Sequence, residues 1–336
     1  MRTKIDLKFW LGIAVSLFFM VLLLSKIDLR SLIVALRSAD YKYVFIAICF
    51  TFLNYFLRAV RWRYLLISKK YISLSSLYPA TIIGYMANNL LPARLGEFVR
   101  AYTLAQTEHL ETPAVFASLV IDRLFDGFSV LLLLLMTLFT IQLPAGMEDA
   151  ALALRAGGVM MFALYCGVVL FLYLLKRQTM KTLSAVKYVL KPFPKRVSDH
   201  LIPLFGSFIG GIRLSSRPWH SAALVATSAG IWLCCIVSVD MTLRSFNVHL
   251  PVSAAIFILI LLVFAVMVPA SPGFIGTYHY ACYKGLSVFD VPETTSISIA
   301  LVMHATGFFP VILAGLYYLW KNKISFIELQ GAEKSR

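Results

Sequence analysis

Three short stretches concentrate the groups of this chain that could do chemistry. In the first, Asn88, Asn89, Arg94, Glu97 and Arg100 lie close together, and Arg94, Glu97 and Arg100 recur every three residues, which on a helix places them on one broad face. In the second, Asp122-Arg123-Leu124-Phe125-Asp126 interrupts an apolar run, with its two carboxylates one helical turn apart. The third, Ser271-Pro272-Gly273-Phe274-Ile275-Gly276-Thr277-Tyr278-His279-Tyr280, joins glycines that allow close approach to hydroxyls and an imidazole that can hydrogen-bond. His304 stands alone in a later apolar run. Guanidinium groups and free backbone N–H groups suit an anion such as a phosphate. Carboxylates beside them either neutralise the arginines or carry protons, so Asp122, Asp126, Glu97 and His304 are the candidates for coupling to an ion gradient. Asp122 or Asp126 is expected to pair with Arg94 or Arg100. No catalytic set, metal cluster or cofactor motif stands out, and no G-x-x-x-x-G-K-[ST] nucleotide loop occurs.

The surroundings of these residues define the class of protein. Of 336 residues, 60% are hydrophobic and only 14% charged, with a mean hydropathy of +0.82. A soluble domain is about half apolar and a quarter charged, and a disordered chain is poorer still in apolar residues, so both classes are excluded. The net charge of +15 raises nucleic acid as a partner only for a soluble protein; here it marks membrane topology. The five cysteines (Cys49, Cys166, Cys234, Cys235, Cys282) fall in apolar stretches and read as small buried hydrophobes. The expected fold is an all-α polytopic membrane bundle forming a single membrane domain over 1–336.

A spanning helix needs about 20 apolar residues. Candidates are Phe9–Leu24, Tyr43–Val60, Val115–Leu143, Gly157–Leu175, Trp219–Leu243 and Ile297–Trp320, while Ser73–Leu91 and Pro251–Pro269 run into proline and glycine. Phe9–Leu24 lacks a cleavage site and reads as the first anchor. Leu201–Ile212 is too short to span and reads as interfacial or re-entrant. Arg2, Lys4 and Lys8, then Arg58, Arg61, Arg63, Lys69 and Lys70 after the second helix, then the lysines and arginines of loop 176–196, and finally Lys321 and Lys323 place the N- and C-termini in the cytoplasm. Loop 176–196 is expected to rest on anionic lipid headgroups.

With that orientation, Ser73–Leu104 and Pro251–Val288 must each enter the membrane and return, the first from the cytoplasm and the second from outside. Their break points match: Leu91-Pro92-Ala93-Arg94-Leu95-Gly96 and Val268-Pro269-Ala270-Ser271-Pro272-Gly273 both read apolar-Pro-Ala-x-x-Gly. Broken segments of opposite orientation are a mark of inverted-repeat transporters, with the substrate near mid-membrane. The expected halves are about 1–175 and 201–320, joined by the basic stretch 176–200 and followed by a tail over 321–336.

In order and spacing, Asn88-x-x-Leu91-Pro92-Ala93-Arg94-x-Gly96-Glu97 with Arg100, then Asp122-Arg123-x-x-Asp126, then Pro269-x-x-Pro272-Gly273-x-x-Gly276 resemble the flippase-like membrane domain of lysylphosphatidylglycerol synthases, over nearly the whole chain. The resemblance implies about eight crossing or re-entrant elements, an inner (plasma) membrane location in the cell envelope, and movement of lipids or lipid-linked sugars between leaflets. It also implies that Arg94, Glu97, Arg100, Asp122, Arg123 and Gly273 line the route. Many relatives carry Gly-Gly-x-Gly and then a glutamate at the second break, where this chain has Phe274 and His279. Only a short tail follows Trp320, so the soluble aminoacyl-transferring domain of the synthases is not expected.

The expectation is a translocator of an anionic phospholipid or polyprenyl-phosphate-linked sugar, not an enzyme. The substrate-binding candidates are Asn88, Asn89, Arg94, Glu97, Arg100, Asp122, Arg123, Asp126, Ser271, Gly273, Gly276, Tyr278 and His279. One alternative is a membrane transferase acting on a lipid-linked substrate, since Asp122-x-x-x-Asp126 faintly resembles a metal-binding pair. Another is a scaffold for a lipid-synthesis complex.

Overall fold

The computed structural model describes residues 29–91, 95–140, 148–178, 184, 187–188, 195–211, 217–267, 272–274 and 276–322. Every regular element among them is helical: α1 (Leu29–Ser38), α2 (Tyr41–Leu66), α3 (Leu74–Leu90), α4 (Gly96–Glu108), α5 (Thr112–Thr140), α6 (Glu148–Arg177), α7 (Lys195–Gly211), α8 (Pro218–Arg244), α9 (Val252–Met267), a single 3₁₀ turn (Pro272–Phe274), α10 (Thr277–Ser287) and α11 (Glu293–Lys321). The expected anchor Phe9–Leu24 and most of loop 176–196 lie outside the described residues.

Among the described residues, three helices are long and apolar enough to cross a membrane: α2, α8 and α11. At about 1.5 Å per residue, even α2, with its 26 residues, exceeds the roughly 30 Å of a hydrocarbon core. α5 is 29 residues long but carries Asp122, Arg123 and Asp126 in its first half. α7 is 17 residues long, short for a span. Apolar side chains stand exposed on α6 (Met160, Leu164) and α11 (Leu313, Trp320), the pattern of a lipid-facing surface rather than a water-facing one.

The structure corrects two readings of the sequence. The second helix was expected to stop at Val60, leaving Arg58 and Arg61 near a cytoplasmic loop; α2 instead runs to Leu66, and both arginines are buried within it. Arg63, Lys69 and Lys70 remain to mark the loop. Cys234 and Cys282 are buried and Cys235 half-buried, whereas Cys49 and Cys166 lie on exposed faces, where a thiol sits comfortably against lipid.

The chain forms two compact units, one of residues 1–57, 78–100 and 230–336, the other of 58–77 and 101–229. Each takes residues from both expected halves. In the first unit, α9, α10 and α11 pack in sequence and α11 also packs on α1. α2 and α8 are joined there by a polar seam: Asn54 Nδ2 donates to the Ile231 carbonyl and to Cys235 Sγ, and Ser238 Oγ donates to the Ala47 carbonyl. Without a hydrophobic force between helices in lipid, such bonds and close packing hold a bundle together. In the second unit, α5, α6 and α7 pack on one another. A Cβ on Gly211 would stand 2.5 Å from the Ala114 carbonyl oxygen, so only glycine lets α7 approach α5 there.

Candidate functional site

Both interrupted segments are helical hairpins whose fold-backs lie in the first unit. α3 and α4 fold back on each other. Gly84 lies against Arg100, where a Cβ would stand 2.7 Å from the arginine Cβ, and a Cβ on Gly96 would stand 2.1 Å from the Gly84 carbonyl oxygen. The two backbones therefore touch, as small residues permit within a membrane. Asn88 Oδ1 accepts the Gly96 N–H at 2.8 Å, satisfying one of the N–H groups left free where α4 begins. Asn88 Nδ2 also reaches Glu97 Oε1 at 3.5 Å. Asn89 beside it is half-buried, and the Arg100 side chain is fully buried. Arg94 lies outside the described residues. Asn88 and Glu97 thus meet at the fold-back, and the base of the Arg100 side chain packs against Gly84.

The second hairpin folds back near residue 272, with Gly285 of α10 against Leu261 and Ile258 of α9. Gly273 (φ 73°) and Phe274 (φ 58°) are both left-handed, a conformation that costs a bulky residue of the order of 1 kcal/mol. The neighbouring helix restrains this turn: His304 of α11, itself buried, donates from Nε2 to the Gly273 carbonyl at 2.8 Å. The Gly276 N–H points at His279 Nδ1 at 3.4 Å, so the imidazole serves as the acceptor that a capping-box residue supplies three positions into a helix. The His304 ring centroid lies 4.9 Å from those of both Tyr278 and His279. Gly273, Gly276, Tyr278, His279 and His304 therefore come together, while Ser271 lies outside the described residues.

The aspartate motif belongs to the second unit, where its partners are arginines that the sequence reading assigned to a loop. Arg61 directs Nε to Asp122 Oδ1 at 2.7 Å, Nη2 to Asp126 Oδ1 at 2.7 Å and Nη1 to Ser228 Oγ at 3.1 Å. Arg58 Nη1 reaches Asp126 Oδ2 at 2.7 Å, and Arg123 Nη1 shares the same oxygen at 3.0 Å. One turn further on, Trp62 donates to Ser118 Oγ. α2 and α5 thus run antiparallel here, with Trp62, Arg61 and Arg58 meeting Ser118, Asp122 and Asp126 in order. The expected pairing of the aspartates with Arg94 or Arg100 gives way to Arg58 and Arg61. The missed signal was periodicity: Thr51, Asn54, Arg58 and Arg61 are spaced three, four and three apart, a polar stripe along one face of a spanning helix.

Buried ion pairs inside long apolar helices and lipid-facing apolar surfaces define a polytopic helical membrane protein. The family described as the lysylphosphatidylglycerol synthase transmembrane region matches residues 9–315, and the chain belongs to that family. A UPF0104 membrane protein of Methanothermobacter thermautotrophicus is 25% identical over 295 residues, covering 84% of this chain and 86% of the relative. A second UPF0104 membrane protein, of Methanocaldococcus jannaschii, is 20% identical across 93% of this chain and 94% of its own length. The glycosyltransferase AglD of Haloferax volcanii is 24% identical over 333 residues; the match takes in 91% of this chain but only 53% of AglD. No solved structure matches significantly.

Proposed function

We propose that this protein moves an anionic phospholipid or a polyprenyl-phosphate-linked sugar between membrane leaflets. The observation that carries the reading is the pair of helical hairpins, each with a helix start tied by a polar side chain: Gly96 by Asn88, and Gly276 by His279. If the charges orient the chain as the positive-inside rule requires, the hairpins enter from opposite faces, the arrangement of inverted-repeat transporters. Arg94 and Arg100 at the first break supply positive charge for a phosphate, whose passage through hydrocarbon is otherwise prohibitive, and Glu97 beside them is the candidate to carry a coupling proton. The basic stretch 176–196 rests on anionic headgroups, and both termini are cytoplasmic.

A membrane transferase is the second reading, favoured by the glycosyltransferase name of one relative. Asp122 and Asp126 count against their use as its metal ligands, because both carboxylates already accept from guanidinium groups.

The test is reconstitution into vesicles carrying fluorescent phosphatidylglycerol, with external dithionite destroying the fluorophores it can reach. The wild type should expose inner-leaflet lipid to the reagent, and Glu97→Gln should slow that exposure. Loss of fluorescence equal to that of protein-free vesicles would overturn the translocator reading, and headgroup transfer in detergent would install the transferase.

A further inference from the structure

The geometry at Asp126 points to Arg123 as an exchangeable cation that meets the phosphate of a lipid, and to Arg58 as the positioning residue that frees it. This deepens the translocator reading and rests on it for the identity of the cargo. Both oxygens of Asp126 have a guanidinium donor without Arg123: Oδ1 accepts from Arg61 Nη2 at 2.7 Å and Oδ2 from Arg58 Nη1 at 2.7 Å. Arg123 joins Oδ2 as a second donor, at a longer 3.0 Å. Burial separates the three guanidinium groups in the same way. The Arg61 side chain is fully buried, that of Arg58 is 9% exposed, and that of Arg123 is 39% exposed.

A guanidinium that lets go of a carboxylate in a membrane normally leaves a bare buried charge, which is costly. Here Arg123 can turn from Oδ2 to another anion while Arg58 and Arg61 keep Asp126 neutralised. A guanidinium fits a phosphate with paired, charge-assisted hydrogen bonds. Among the ion pairs of the described residues, three arginines meet two aspartates, a balance toward the positive sign that a phosphate complements. Removing Arg58 would hand Oδ2 to Arg123 alone and withdraw it from any ligand.

Native mass spectrometry of the purified protein, titrated separately with phosphatidylglycerol and phosphatidylcholine, reads this directly. The wild type should prefer phosphatidylglycerol. Arg123→Ala should weaken that lipid about tenfold, as loss of one charge-assisted contact does, while Arg123→Lys keeps the preference. Arg58→Gln should weaken phosphatidylglycerol selectively, and adding Asp126→Asn should restore it by releasing Arg123. Equal loss of both lipids in Arg58→Gln would reveal a merely structural role and overturn the positioning assignment; unchanged binding in Arg123→Ala, or no preference in the wild type, would overturn the site. Inorganic phosphate at matched concentration should leave the lipid bound, and displacement by it would overturn the lipid as the source of the phosphate. Selective binding without movement in the vesicle assay would sink translocation alone and leave this assignment standing.

Discussion

Arg61 and Asp122 show how a charge survives inside a spanning helix. Each guanidinium nitrogen of Arg61 has an acceptor, so its desolvation is offset by an ion pair and several directed bonds. Such a pair adds little net stability, but removing one partner strands the other. Asp122→Asn should therefore cost about 3 kcal/mol, measured by unfolding in detergent, and Arg61→Gln with Asp122→Asn should cost less than the sum of the two single changes. His304 is held to a similar standard by one bond. His304→Phe leaves the Gly273 carbonyl unpaired at a cost of about 1–3 kcal/mol; His304→Gln, which can donate again, should recover most of it in the same measurement. The charge of Asp122 and Asp126 was legible in the sequence. Their partners were not, because Arg58 and Arg61 lie close enough to a basic loop to pass as topology signals.

Between helices, the decisive residues are those with least side chain. Gly96 has no room for a Cβ against the Gly84 carbonyl, whereas Gly167 on α6 has nothing within 4 Å of where a Cβ would stand. Gly96→Ala should then force α3 and α4 apart and lower thermal stability. Gly167→Ala should be neutral or stabilise by up to about 1 kcal/mol, because alanine restricts the unfolded chain and favours helix. Differential scanning of both variants in one detergent decides this. The existence of both hairpins was readable from proline and glycine placed where continuous helix would otherwise satisfy every backbone group. Their tightness was not, since Gly84 carries no signal separating it from any other glycine in an apolar run.

For the whole chain, sidedness is the exposed expectation. With Cys49 and Cys166 replaced to remove accessible background thiols, Tyr71→Cys, at an exposed position before the first hairpin, should react with impermeant maleimide from the cytoplasmic face. Val252→Cys, at an exposed position where the second hairpin begins, should react from the opposite face. Reaction of both from one face would defeat the inverted arrangement. The compact units take residues alternately along the chain, so any duplication in the sequence does not translate into two contiguous lobes.

By itself the sequence determined the class of protein, the places where helices break and the residues at those breaks, because each follows from local chemistry. Apolar length sets the spans, proline and glycine interrupt them, and isolated charge in an apolar run demands a reason. Tertiary structure alone decided which charge answers which. Asp126 lies far along the chain from Arg58 and Arg61, and His304 from Gly273. Such pairs are chosen by the geometry of packed helices, in a medium where an unpaired polar group is too costly to leave.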